Sequence, residues 1–215
     1  DKQRNLFSVG LASETGKLDE SCYDLLASEA RLTSLIAIAK GDVETRHWFR
    51  LGRTVLSVAK TPVLTSWSGS MFEYLMPELV TATPNESLIG QSIRVAVTAH
   101  IAYGKRRNTP WGISESAFHA RDLEFNYQYS SNGIPELGLK RGLSDSHVIA
   151  PYATALAADV FPRLAVHNFI QLAAAGGRGQ YGFYDAIDYT AARLPEGVAM
   201  AVIKNYMAHH QGMTI

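Results

Sequence analysis

One glutamate stands where a carboxylate could take part in acid–base chemistry. If residues 21–40 form a helix, Glu29 shares a stripe with aliphatic side chains at helical spacing, Leu25, Leu32 and Ile36. Burial among apolar groups raises the pKa of a carboxyl towards the range of a general acid. The alternative interpretation is a structural glutamate that pairs with a cation such as Arg31 or Arg53.

A second glutamate lies beside a tryptophan. Glu115 ends the segment Pro110-Trp111-Gly112-Ile113-Ser114-Glu115. Pyranose rings pack their C–H groups on flat aromatic faces, so this combination is typical of a sugar-binding cleft. The alternative is a glutamate that is favoured only by the dipole of a short predicted helix over residues 113–121.

Two further stretches combine aromatic and acidic residues. Ser66–Tyr74 contains Trp67 and Glu73, and residues 181–189 contain Tyr184 and Asp185. Glu73 could hold sugar hydroxyls or be a charge on a helix surface. The second stretch could form a sugar subsite or an ordinary aromatic-rich strand or turn.

Neither the adjacent histidines near the C-terminus nor the glycine-rich segment indicates a metal or cofactor site. His209 and His210 are adjacent, so on a helix they point about 100° apart and cannot chelate as an i, i+4 pair would. Hydrogen bonding to substrate, or a role at a helix end, is the better interpretation. The glycine-rich residues 176–179 lack the Gly-Lys-Ser/Thr ending of a phosphate loop. We therefore expect no metal and no cofactor.

The elements that must position these residues are predicted to be mostly helical. Apolar periodicity predicts long helices over about 21–40, 86–103, 145–158, 160–175 and 195–210. Shorter helices are predicted over 44–52, 69–80 and 113–121. Residues 54–65 alternate as an extended segment, residues 104–112 are expected to be a basic loop, and residues 122–143 are rich in turns. The pattern indicates a mainly α protein with long connections.

Composition narrows the classes of partner. Hydrophobic residues make up 47% of the 215 positions, and Lys plus Arg equals Asp plus Glu at 20 each. A net charge of zero provides no long-range attraction to nucleic acid or to an anionic membrane, which favours a neutral ligand such as a sugar. The single cysteine, Cys22, allows no internal disulfide and fits a reducing compartment.

The chain is expected to be a soluble piece of a longer polypeptide. Its polar N-terminus lacks the apolar region of a signal peptide, and no apolar run reaches the length of a membrane span. It begins without methionine and stops directly after a predicted helix. We interpret residues 1–215 as a single domain.

Several motifs resemble one family over almost the whole chain. These are Tyr23-Asp24-Leu25-Leu26-Ala27-Ser28-Glu29-Ala30-Arg31-Leu32, Ser66-Trp67-Ser68-Gly69, Phe72-Glu73-Tyr74-Leu75-Met76-Pro77, Pro110-Trp111-Gly112-Ile113-Ser114-Glu115 and His209-His210-Gln211-Gly212-Met213. They resemble the glucoamylase-like domain of cyclic β-1,2-glucan synthases. The resemblance implies an (α/α)6 toroid, of which this chain would be an incomplete portion.

The resemblance also implies an activity and a site. The domain would cleave linear β-1,2-glucan and close it into a ring with retention of anomeric configuration, with Glu115 as nucleophile and Glu29 as acid/base. The substrate-binding candidates are Asp24, Arg31, Trp67, Glu73, Tyr74, Trp111, Tyr184, Asp185 and His210. Alternatives are an inverting endo-β-1,2-glucanase and a non-catalytic glucan-binding module.

The implied partners are the glucan and the other domains of a parent synthase. That parent would be anchored in the inner membrane, with this domain on the cytoplasmic side. No contact with nucleic acid is expected.

Overall fold

The computed structural model describes all 215 residues and contains six α-helices. They are α1 Arg31–Lys40, α2 Met71–Leu75, α3 Leu88–Arg107, α4 Pro151–Leu156, α5 Pro162–Ala174 and α6 Ala208–Gly212. Five 3-10 helices cover Thr45–Arg50, Met76–Leu79, Leu143–Asp145, Ala157–Asp159 and Ala191–Arg193.

Thirteen short strands form six small antiparallel sheets. The strands are β1 Phe7–Ser8, β2 Leu11–Ala12, β3 Lys17–Leu18, β4 Cys22–Tyr23, β5 Val55–Val58, β6 Thr61–Leu64, β7 Ser116–Arg121, β8 Tyr127–Ser130, β9 Val148–Ile149, β10 Arg178–Gly179, β11 Gly182–Phe183, β12 Ala186–Asp188 and β13 Ala201–Ile203. The pairs are β1 with β4, β2 with β3, β5 with β6, β7 with β8 and β10 with β11, and β12 lies between β9 and β13.

The longest helix, α3, is set by local signals at both ends. The hydroxyl of Ser87 accepts a hydrogen bond from the Gly90 N–H at 3.1 Å, which caps a free donor of the first turn. At the other end Asn108 adopts the left-handed conformation that stops a helix. Three basic residues in the last turn, Lys105, Arg106 and Arg107, complement the helix dipole there.

One core of 26 buried hydrophobic residues holds most of the elements together. The inner face of α3, including Ile93, Ala96 and Val97, packs against β6 and α2. A satellite cluster of Ala117, Val148, Ala186 and Ile203 joins β7 to the three-stranded sheet. Helix and sheet therefore meet behind the segment that contains Glu115.

Two loops cross so closely that only glycine fits. Gly69 has φ of 69°, and a Cβ on it would lie 2.5 Å from the Ile134 carbonyl oxygen. A Cβ on Gly133 would lie 1.9 Å from the Ser68 carbonyl oxygen. The loop 66–70 is thus pressed against residues 133–138, and its path is fixed by backbone contact.

The structure confirms some predicted elements. The helices predicted over 86–103 and 160–175 are α3 and α5, and the segment 69–80 is α2 with its 3-10 extension. The extended segment 54–65 is the hairpin of β5 and β6. These elements are defined by local periodicity and capping residues, which short-range patterns detect well.

Five predictions were wrong in whole or in part. The helix over 145–158 begins only at Pro151, because Val148–Ile149 form strand β9. The helix over 21–40 begins only at Arg31, because residues 22–23 pair with β1 and residue 25 forms a bridge to residue 52. The segment 113–121 is not helical, because residues 116–121 form strand β7, whose hairpin with β8 overrides the local preference. The helix over 195–210 is reduced to α6, since residues 201–203 join a sheet. The basic loop at 104–112 begins as the last turn of α3.

The expected mainly α composition holds only in part. Helices account for 36% of residues and strands for 20%. The strands are two to six residues long; β1 to β4 precede α1, and the others lie in the connections between helices. None of the helices combines the length and the apolar character that crossing a bilayer requires.

Candidate active site

A cleft of about 430 Å³ brings together three glutamates from distant parts of the chain. It is lined by Val9, Ser21, Cys22, Tyr23, Asp24, Leu25, Ser28, Glu29, Trp67, Glu73 and Glu115. A larger groove of about 710 Å³ lies elsewhere, but its only carboxylate, Glu136, is paired with Arg106. The smaller cleft is therefore the better candidate for acid–base chemistry.

Glu29 lies in a turn two residues before α1, not on a helical stripe. The hydroxyl of Ser28 donates to the Glu29 carboxylate at 3.2 Å and accepts from the Ala30 N–H at 3.2 Å. The side chain of Glu29 has no cationic partner. Arg31 instead pairs with Glu78 at 3.1 Å, and Arg53 donates to main-chain oxygens of residues 48 and 51. The paired-glutamate alternative is thus wrong.

Arg31 fastens the Glu29 turn to α2. Its buried guanidinium donates to the main-chain oxygens of Ser28 at 3.2 Å, Glu73 at 2.9 Å and Tyr74 at 2.7 Å. With Glu78 as a fourth partner, its donors are directed into the protein and away from the cleft. The structure therefore places Arg31 as a support behind Glu29.

Glu115 immediately precedes β7 and is held through its neighbours. The hydroxyl of Ser114 accepts from the Phe72 N–H at 3.0 Å and from the Tyr152 hydroxyl at 2.8 Å. The same Tyr152 hydroxyl lies 3.1 Å from the Glu115 carbonyl oxygen. The side chain of Glu115 accepts from the Tyr129 hydroxyl at 3.3 Å. Main-chain anchoring leaves this carboxylate free to face the cleft.

Glu73 is the third acid, and its oxygens are already occupied. Its carboxylate accepts from the hydroxyls of Ser66, Ser68 and Ser70 at 2.7 to 3.0 Å and from the N–H groups of Ser68 and Ser70. It also completes a capping box with Ser70 at the start of α2. Glu73 is 4% exposed, so it acts as the support of the loop that carries Trp67.

The charge of Glu73 contributes to the electrostatics of the other two acids. Burial raises the pKa of Glu29, and the negative charge of Glu73 adds to this rise. Burial, followed by the charges of Glu29 and Glu73, raises the pKa of Glu115 to about 7. Carboxylates that share one cleft cannot all ionise easily, so a proton is retained near neutral pH. Such a site can both donate a proton and offer a nucleophile.

The other substrate-binding candidates fall into two groups. Asp24 and Trp67 line the cleft with the glutamates, and Trp67 is 57% exposed as an open flat surface. Tyr74 is buried and donates to the Leu64 carbonyl oxygen at 2.7 Å. Trp111 is 6% exposed within the core cluster. Tyr74 and Trp111 therefore lie outside the cleft.

Tyr184, Asp185 and His210 lie beyond the cleft lining. Tyr184 packs on Tyr206 with ring centroids 5.1 Å apart. Asp185 and His210 are both buried and bonded to each other, with 2.6 Å between Asp185 Oδ1 and His210 Nδ1. The structure brings His210 within 3.5 Å of the Tyr129 hydroxyl, so the pair connects to Glu115 through that tyrosine.

Sequence reasoning missed Tyr129, Tyr152 and Ser114. Tyr129 follows Tyr127 in alternation along β8, which predicts a strand but gives no sign of a nearby acid. Tyr152 lies on a helix whose start is marked by Pro151. Their partners are 14 to 81 positions away in the chain, so no local spacing could have identified them.

No cluster of three or more His, Cys, Asp or Glu side chains is arranged to hold a metal ion.

The family model described as "Putative glucoamylase" matches residues 21–215. The cyclic β-(1,2)-glucan synthase NdvB of Rhizobium meliloti (strain 1021) is 52% identical over 213 residues, which are 99% of this chain and 8% of that protein. The chain thus spans a small fraction of the curated relative that it matches.

Two solved structures give the fold. A glucoamylase-type structure from Bacteroides caccae has a TM-score of 0.65 at 15% identity, over 98% of this chain and 52% of that chain. The endo-β-1,2-glucanase from Talaromyces funiculosus, in complex with sophorose, has a TM-score of 0.62 at 17% identity, over 86% of this chain and 39% of that chain. Their folds are of the glucoamylase-like toroid type, and this chain covers 52% and 39% of them.

Proposed function

Because the chain belongs to the glucoamylase family, we propose that it is a glycoside-processing enzyme that acts on β-1,2-linked glucan. The observation that carries the proposal is the cleft in which Glu29 and Glu115, two half-buried acids with raised pKa values, face an exposed Trp67. The substrate class rests on the 52% identity to a cyclic β-(1,2)-glucan synthase. A neutral polymer also suits a chain of zero net charge.

The reaction that we propose is transfer with retention. The Glu115 carboxylate attacks the anomeric carbon, and the bond to the leaving oxygen breaks as Glu29 supplies its proton, through a sugar hydroxyl that relays it. The product is a glycosyl ester on Glu115. The hydroxyl at the non-reducing end of the same glucan then attacks this ester, gives its proton back to Glu29 and closes the ring.

Two residues are proposed to hold the sugar. Trp67 offers a flat exposed face on which a glucose ring can pack, and Asp24 supplies oxygens for its hydroxyls. Arg31, Glu73 and Tyr74 support this arrangement from behind. An acceptor held on such a surface can occupy the place where water would otherwise attack, which favours transfer over hydrolysis.

We also propose that residues 1–215 are one catalytic domain of a longer synthase. The match to 8% of the curated relative supports other domains as partners. A membrane-anchored parent with this domain on the cytoplasmic side would bring it close to newly made glucan.

Product analysis tests the reaction. Incubation with linear β-1,2-glucan should give rings, each lighter by one water than the linear chain of equal length, as measured by mass spectrometry. Glu115→Gln and Glu29→Gln should each lower turnover by about 10³-fold or more while glucan binding is retained, because the amides keep the shape but not the chemistry.

The matched control is Glu124→Gln, at an exposed turn position that does not line the cleft. It should leave turnover unchanged. Full activity in both Glu29→Gln and Glu115→Gln would refute the assignment of this site.

A second candidate is an inverting endo-β-1,2-glucanase. It is favoured by the fold shared with the Talaromyces funiculosus enzyme. In that case the same incubation would yield short linear oligosaccharides, and proton NMR would show inverted anomers at the earliest time points. A non-catalytic glucan-binding module would bind the polymer and leave its mass distribution unchanged.

A further inference from the structure

A chain of hydrogen bonds leads from the interior to the side chain of Glu115. Asp185 Oδ1 lies 2.6 Å from His210 Nδ1, His210 Nε2 lies 3.5 Å from the Tyr129 hydroxyl, and that hydroxyl lies 3.3 Å from Glu115 Oε2. The four residues come from four separate segments of the chain. Asp185 and His210 do not line the cleft, so an explanation other than sugar binding is needed for them.

The inner end of this chain is rigid. The second oxygen of Asp185 accepts from the Ala117 N–H at 2.8 Å, only two residues after Glu115. The His210 ring is stacked on Tyr152 with centroids 3.9 Å apart, and Tyr152 in turn bonds the main chain at Glu115. Asp185 and His210 are 2% and 1% exposed. The tyrosine hydroxyl is thus held at a fixed place beside the carboxylate.

The electrostatic surroundings of Glu115 make this contact significant. Among the groups that act on it, Glu29 and Glu73 oppose its ionisation, whereas Lys140 and the Tyr129 hydroxyl favour it. Burial and the charges of Glu115 and Asp185 raise the pKa of Tyr129, so this phenol remains a hydrogen-bond donor. A nucleophile must be ionised before it attacks, and the carboxyl of Glu115, with its pKa raised to about 7, is only partly ionised at neutral pH.

Resting on the proposed function, we propose that Asp185, His210 and Tyr129 are positioning residues that hold Glu115 ionised and aimed for attack. The carboxylate of Asp185 selects the His210 form with a proton on Nδ1. The Tyr129 hydroxyl carries a single hydrogen, and its shorter contact, at 3.3 Å, is with Glu115, whereas His210 Nε2 lies 3.5 Å away. That hydrogen therefore points at the carboxylate.

The groups that surround His210 also hold its ring in place. His210 faces Asp185, Tyr129, Tyr152 and the neighbouring His209, whose ring centroid is 4.0 Å away. Asp185 is the only carboxylate among them, and its bond to Nδ1 fixes the orientation of the ring.

The test follows the ionisation of Glu115 directly. Carbon-13 NMR of protein labelled at the glutamate carboxyl carbons gives the titration of Glu115, assigned by the signal that Glu115→Gln removes. Tyr129→Phe should raise the pKa of Glu115 by about one unit, because a hydrogen bond to the charged form is lost. Asp185→Asn should shift it in the same direction by a smaller amount.

Tyr127→Phe is the matched control. It removes a hydroxyl from the same strand, one that contacts only Arg121, and should leave the Glu115 titration unchanged. An identical Glu115 titration in wild type, Tyr129→Phe and Asp185→Asn would overturn the inference.

Kinetics separates this inference from the proposed function. In an enzyme active on β-1,2-glucan, Tyr129→Phe should raise the apparent pKa of the acidic limb in the pH dependence of kcat/KM by the same one pH unit. Loss of packing alone would instead lower kcat/KM by the same factor at every pH. A wild-type protein without activity, in which the NMR shift is nevertheless found, would refute the function and leave the hydrogen-bond chain in place.

Discussion

At the scale of single residues, occupancy of the oxygen atoms distinguishes a supporting acid from a reactive one. Glu73 is more deeply buried than Glu29 or Glu115, but serine hydroxyls and main-chain N–H groups occupy its carboxylate. Glu29 and Glu115 each receive one side-chain hydrogen bond. Both carboxylates line the cleft with most of their lone pairs unoccupied by the protein, as the proposed reaction requires.

The raised pKa of Glu115 predicts a cost in stability. The protonated form is favoured in the folded state, so this group stabilises the fold fully below pH 4.5, its value in the unfolded chain, and the benefit is lost as pH rises to about 7. Glu115→Gln should therefore raise the free energy of unfolding at pH 8 by about 1 to 2 kcal/mol, after allowance for solvent screening.

Thermal unfolding at pH 4.5 and pH 8 measures this effect. The variant should unfold at a higher temperature than wild type at pH 8, and the two should converge at low pH. The control Glu136→Gln alters a surface glutamate paired with Arg106 and should not change the pH dependence. If the unfolding temperatures of Glu115→Gln and wild type changed with pH in parallel, the predicted stability cost of Glu115 would be contradicted.

At the scale of elements, the cleft residues stand just before regular structure begins. Glu29 precedes α1, Trp67 precedes α2 and Glu115 precedes β7. A side chain in such a position projects from a short turn, while the element behind it is fixed by the core. The cleft therefore combines exposed functional groups with a rigid support, and a 20-residue helix, α3, lies behind it.

Replacement of Glu73 tests whether the loop 66–70 depends on one carboxylate. In Glu73→Gln the amide presents N–H groups to donors of Ser66, Ser68 and Ser70, so several buried hydrogen bonds are lost. We expect a loss of about 2 to 4 kcal/mol in the free energy of unfolding. Because Trp67 is carried on this loop, KM should also rise.

Urea unfolding and steady-state kinetics on the same preparation measure both effects. Glu136→Gln again serves as the control and should cost less than about 1 kcal/mol. A Glu73→Gln variant with wild-type stability would mean that the serine contacts contribute little to the loop.

At the scale of the whole molecule, charge balance sets how the substrate arrives. Lys plus Arg and Asp plus Glu are equal at 20 each, and the proposed substrate carries no charge. Recognition then depends on aromatic stacking and hydrogen bonds at short range. Long-range steering of the kind that salt screens has no role.

Salt titration tests this expectation. Between about 0.05 and 0.5 M NaCl the KM for β-1,2-glucan should change by less than about two-fold, because no ion pair forms on binding. Trp67→Ala should raise KM by about ten-fold at every salt concentration, through loss of the stacking surface. A steep fall in affinity with salt would indicate a charged ligand instead of a neutral glucan.

The sequence by itself determined the elements with strong local signals and the identity of the candidate acids. Apolar periodicity predicts α3 and α5. Ser87 and Asn108 mark the ends of α3 and Pro162 marks the start of α5, and each of these signals depends only on residues nearby in the chain. Glu29 and Glu115 were recognised from their motifs. The helical stripe first used to explain Glu29 was wrong, since strand pairing by residues 22–23 displaces the helix start.

Only the tertiary structure decided which polar residues face the cleft. Arg31, Tyr74 and Trp111 are residue types common in sugar-binding sites. Arg31 and Tyr74 instead donate hydrogen bonds to main-chain oxygens, and Trp111 is buried in the core. Tyr129 acquires its place from Asp185 and His210, which are far away in the chain. The physical reason is that side-chain hydrogen bonds are satisfied through space, and chain distance carries no information about which partner is nearest.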